Sequence, residues 1–124
     1  MLRKLAFTLA TVGLLGAAGP ALAQKTGPHG GKVAGKDGHQ TELVVSATEL
    51  TVYLLEDGKP HESKGTTLRA VVQQGGKTTT INFVDQDGKR LIAKLAAPLG
   101  KGAIVVLTGK DDHGHQLSAR YVID

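Results

Sequence analysis

Five histidines are the chemically distinctive residues of this chain: His29, His39, His61, His113 and His115. Neutral imidazole is a borderline ligand for Zn²⁺, Cu²⁺, Ni²⁺ and Co²⁺, and carboxylates can complete the shell around such ions. Cysteine is absent and the only methionine is Met1. Thiolate zinc sites, iron–sulfur clusters and disulfides are therefore excluded, and Cu⁺ is disfavoured for want of sulfur ligands. The sharpest local pattern is His113-Gly114-His115. Residues i and i+2 of an extended segment face the same way, and Gly114 lets a turn bend with no side chain between the rings. Both imidazoles can then meet one ion, with Asp111 or Asp112 as a ligand or as the acceptor of a ring N–H. A hairpin loop that merely contains two histidines fits the same residues.

Catalytic constellations are weaker. Ser46, Ser63 and Ser118 lack a Gly-x-Ser-x-Gly elbow. The paired carboxylates fall in turn-like segments, where no burial raises a pKa for acid catalysis. The glycine pairs precede no helix whose N-terminus could hold a phosphate. A hydrolytic metal centre needs a protected open position that a small core hardly supplies. The chain is accordingly expected not to be an enzyme.

The elements that must position these histidines read as strands. Alternation of period two runs through Glu42–Val45, Leu50–Leu55, Leu68–Gln73, Thr79–Val84, Leu91–Leu95 and Leu117–Ile123, while Ile104–Leu107 is apolar on both faces. Turn residues separate them: Asp57-Gly58, Gly75-Gly76, Asp87-Gly88 and Asp111-Asp112-His113-Gly114. No sustained helical stripe follows residue 24. The expectation is an all-β fold, a seven-stranded antiparallel immunoglobulin-like sandwich over residues 39–124, with a small closed barrel as the alternative. Residues 24–38 read as a flexible Gly/Lys-rich arm.

Residues 1–23 read as a secretory signal peptide. Arg3 and Lys4 start it, an apolar stretch from Leu5 to Ala18 follows, and Ala21-Leu22-Ala23 is a small-x-small cleavage site before Gln24. The apolar stretch is shorter than the ~20 residues a membrane span needs, so no span is expected in the mature chain. Cleavage lowers the formal charge from +4 to +2, because Arg3 and Lys4 leave with the leader. The remaining lysines are scattered singly and the aromatics are few, which argues against nucleic acid. A secreted chain without cysteine suits a bacterial periplasm.

If successive strands run up and down, each loop lies at the opposite end from the one before it. That parity gathers all five histidines at one end, with Glu56, Asp57, Glu62, Asp85, Asp87, Asp111 and Asp112, although His29, about ten residues before the first predicted strand, is not fixed by parity alone. The expected metal shell has His113 and His115 as its nucleus, His39 and His29 completing it, and Asp112 assisting. His61, in a long loop, is the weakest candidate. Histidine ligation predicts binding that weakens below about pH 6, where imidazole takes up a proton.

The segments Pro28-His29-Gly30-Gly31-Lys32-Val33, Glu42-Leu43-Val44, Leu50-Thr51-Val52-Tyr53-Leu54 and Asp57-Gly58-Lys59-Pro60 resemble small bacterial periplasmic proteins whose mature region opens on Pro-His-Gly-Gly. A similar segment begins the periplasmic adaptor subunits of heavy-metal efflux pumps of the cobalt–zinc–cadmium type. The resemblance covers Pro28 to Pro60. It implies a periplasmic β-sandwich associated with divalent-cation or copper handling, heavy-metal efflux components as partners, and His29 as a ligand. His113-Gly114-His115 lies outside the shared pattern. A second reading needs no metal: a protein-interaction module of the cell envelope that uses an edge strand or its loops.

Overall fold

The computed structural model describes residues 24–124. The proposed signal peptide lies outside the described residues. Eleven strands are formed among the described residues: β1 (Lys25–Thr26), β2 (Lys32–Lys36), β3 (His39–Val45), β4 (Glu49–Glu56), β5 (Lys59–His61), β6 (Thr67–Gln74), β7 (Lys77–Asn82), β8 (Val84–Gln86), β9 (Arg90–Lys94), β10 (Ile104–Lys110) and β11 (Gln116–Val122). The described residues contain no helix, so none long and apolar enough to cross a membrane.

The strands form two antiparallel sheets. The larger has the order β1-β2-β3-β4-β9-β8, with β5 paired to β4, and the smaller has the order β11-β10-β6-β7. Alternation decides what lies between them. Leu43 pairs with Val52, Val52 with Leu91, and Leu50 with Ala93 on the inner face of the larger sheet. Val105 pairs with Val72 and Tyr121, and Leu107 with Ala70 and Ala119, on the inner face of the smaller. All of these are buried and belong to one cluster. The result is an all-β, sandwich-like fold held chiefly by aliphatic side chains, as the scarcity of aromatics requires.

The seven predicted strands correspond to β3, β4, β6, β7, β9, β10 and β11. Two differences matter for function. The arm predicted over residues 24–38 is instead partly sheet: β2 pairs along β3 from Lys32↔Leu43 to Lys36↔His39. The cause is the Asp37-Gly38 turn, with φ of 50° and 78°, the positive values that a tight two-residue hairpin needs. The run read as one strand over Thr79–Val84 is divided. β7 ends at Asn82 in the smaller sheet and β8 starts at Val84 in the larger. Phe83 bridges them, with its side chain buried and its N–H donated to the Leu68 carbonyl.

Tyr121 locks the sheets together. From β11 its hydroxyl donates to the Thr41 carbonyl (2.6 Å) and lies 2.7 Å from the Thr41 hydroxyl, both on β3. Burial pushes the Tyr121 phenol above its ordinary pKa, outweighing the hydrogen bonds that lower it. Because the unfolded phenol ionises near pH 10 while the folded one stays protonated, this contribution is complete below about pH 10 and is lost as pH rises through the folded value. Tyr121→Phe should cost about 1–2 kcal/mol at neutral pH and flatten the alkaline fall in stability. Urea titrations at pH 7 and pH 10.5 read both; an unchanged midpoint at pH 7 would contradict the role given to this hydroxyl.

Candidate metal centre

The end of the sandwich where β3 starts collects four of the five histidines. His39 opens β3 directly after the Asp37-Gly38 turn, and His61 closes β5 after a second hairpin at Asp57-Gly58, where φ is 50° and 83°. The two turns are joined, since the Asp57 N–H donates to the Gly38 carbonyl at 2.9 Å. His113 and His115 come from the smaller sheet, in the five-residue loop between Lys110 and its partner Gln116. The parity argument therefore locates these four residues at one end, as the structure has them.

Asp111 organises the β10–β11 loop. Its Oδ1 accepts the backbone N–H of His113 (2.9 Å) and of His115 (2.8 Å), and its Oδ2 lies 3.1 Å from His115 Nδ1. Backbone bonds from Asp111 N to His115 O and from Gly114 N to Asp111 O close the turn. Gly114 has φ of 82°, a conformation open to glycine at little cost. Burial raises the Asp111 pKa, but the His115 and His113 N–H groups and the His115 ring together bring it below the usual carboxylate value. As a carboxylate it accepts the His115 Nδ1–H in the metal-free protein, and the same two atoms, 3.1 Å apart, can share an ion once that proton leaves.

This shift has a testable sign. A carboxyl with a lowered folded pKa contributes stability above its unfolded pKa, and the contribution is lost as pH falls through the folded value. In metal-free protein, Asp111→Asn should therefore reduce the slope of stability against pH below about pH 4. A pH series of denaturant titrations reads it, and parallel wild-type and variant acid limbs would contradict it.

The loop does not bring His113 and His115 to one point. The bend at Gly114 breaks the extended alternation, and the two rings lie 6.1 Å apart at 55°. They join different groups instead. His39, Asp111 and His115 offer ligand atoms within 4.8 Å of one another, and His61, Asp112 and His113 do the same. Either group could hold a metal ion. In the first, the His39 and His115 rings are stacked at 4.3 Å, so His39 must turn about its side-chain torsions to share an ion. The groove of about 440 Å³ beside them, bordered by Lys36, Asp37 and Gln116, gives it room.

The expected shell is thus redistributed. Asp112 stands with His61 and His113, not with the His39–His115 pair. His29 joins neither group. Its Nδ1 lies 2.9 Å from Glu42 Oε1, its backbone N–H donates to Glu42 Oε2 at 2.8 Å, and its ring lies flat on Tyr53 at 3.6 Å. Glu42 has already captured it. Sequence reasoning undervalued His61 because Pro60 makes Lys59-Pro60-His61 look like loop. The signal was present: Asp-Gly between Glu56 and Lys59 is a hairpin turn, and an edge strand tolerates proline. The chain was compared with protein-family models, with curated proteins and with solved structures, and none of the three gave a match.

Proposed function

We propose that this chain is a divalent-cation-binding protein of the bacterial periplasm that buffers or carries Zn²⁺, Cu²⁺, Ni²⁺ or Co²⁺. The observation that carries the reading is the meeting of His39, from the larger sheet, with His115 and Asp111, from the smaller, within 4.8 Å. Two imidazoles and a carboxylate suit these borderline ions and not Ca²⁺ or Mg²⁺, which prefer oxygen. The sandwich is read as immunoglobulin-like and serves as a scaffold. The function is binding, not catalysis, with heavy-metal efflux components as the partners that the Pro-His-Gly-Gly resemblance suggests. The leader-like residues 1–23 support the periplasmic location.

A thermal melt of the purified protein, first chelated and then titrated with each ion, tests this. A ligand at a hundred times its dissociation constant adds about 2.7 kcal/mol to the native state, which in a domain of this size raises the midpoint on the order of ten degrees. The rise should saturate, fall in His39→Ala/His115→Ala, and shrink below about pH 6. A flat response to all four ions would sink the reading. The interaction-module reading would then stand, favoured by the exposed edge at Lys77–Thr80 of β7 and by Val84 of β8, which is 70% exposed.

A further inference from the structure

The sequence Asp111-Asp112-His113-Gly114-His115 is nested. Its outer pair, Asp111 and His115, faces His39, and its inner pair, Asp112 and His113, faces His61. Asp112 Oδ1 lies between the two inner rings, 3.2 Å from His113 Nδ1 and 3.5 Å from His61 Nε2. His61 Nε2 is buried and makes no hydrogen bond. A buried ring nitrogen without a partner is costly, and an ion relieves that cost. On the far side of the same ring, His61 Nδ1 lies 3.3 Å from Glu56 Oε1. A carboxylate behind one ring nitrogen fixes the tautomer and aims the other nitrogen at the metal.

We infer that His61, Asp112 and His113 form a metal site of their own, taking one borderline divalent cation separately from the His39 group. This rests on reading the rim as metal-binding. The two groups use no residue in common. His39 and His115 border the groove beside Gln116, and His61 borders another with Tyr53 and Arg90. Each site carries its own carboxylate, Asp111 or Asp112, and Glu56 adds a third negative charge behind His61. Two dications at this end therefore meet enough local negative charge to offset much of their mutual repulsion.

Isothermal titration of the metal-free protein with Zn²⁺, together with imidazole-ring NMR, tests the inference. The wild type should bind two equivalents. His61→Ala and Asp112→Asn should each leave one, and so should His39→Ala. In His39→Ala, Zn²⁺ should still move the ring resonances of His61 and His113. Far-UV circular dichroism on each variant, with His61→Gln as a gentler replacement, separates lost ligation from lost folding. Retention of one equivalent in His39→Ala and its loss in His61→Ala would uphold this site while removing the one proposed at His39. A single equivalent lost in both variants, a single equivalent indifferent to His61, or no binding at all would overturn the inference.

Discussion

Replacing Glu42 with alanine is expected to remove about 3 kcal/mol of folding stability, because it strips two or more donors of their acceptor in a nearly closed turn. Glu42 sits on the outer side of β3, opposite Tyr53, yet its exposure is 0%. The β1–β2 connection, Gly27 to Gly31, folds over it. Its Oε2 accepts the N–H of His29 and of Gly31, both at 2.8 Å, and its Oε1 meets the His29 ring. A shift of that size lowers the midpoint of a domain this small by on the order of ten degrees. Glu42→Gln keeps one acceptor oxygen and should lose roughly half as much. Urea titration gives the global cost, and amide exchange at His29 and Gly31 reads the turn itself. An alanine variant within about 1 kcal/mol of wild type, with protected His29 and Gly31 amides, would show that this carboxylate is not the fastener.

Gly109→Ala should destabilise by about 3 kcal/mol or more, for a steric reason. Gly109 lies in β10, between Leu68 on β6 and Leu117 on β11. A Cβ built there would fall on the Thr67 carbonyl oxygen, far inside van der Waals contact, and against the Leu68 Cα. These are backbone atoms held in the ladder by Thr108↔Arg69 and Lys110↔Thr67, so no rotamer change makes space. The strands must part at the point where β10 feeds the histidine loop two residues later. Both the denaturation midpoint and the cation-induced rise in melting temperature should fall. An unchanged midpoint would mean that β6 and β10 separate more easily than the ladder implies.

The alternation of β3, β4, β6, β9, β10 and β11 was legible because one face of each meets the core and the other meets solvent. It failed for β2, where Gly35 and two lysines hide a strand whose face is only half-buried. It also failed at Phe83, because a change of sheet leaves the inward residues in phase and so leaves no mark on the pattern. At the rim, turn chemistry and parity located His39, His61, His113 and His115, but could not pair them. Pairing depends on the bend at Gly114, which two-residue periodicity does not contain. His29 was drawn into the expected shell because Glu42, read alone, is an outward charge on a strand. Nothing local announces that a turn eleven to fifteen residues earlier will bury it.

Both histidine groups draw one ring from the larger sheet and the rest of their ligands from the smaller. A cation in either is therefore a removable rivet across the layers, in a chain that has no cysteine to make a permanent one. Withdrawing it frees the two layers to part at that end, and proteases follow the population of opened molecules. On the proposed reading the lifetime of the protein would then track the supply of the ion: it would persist where the ion is plentiful and be cleared where the ion is scarce.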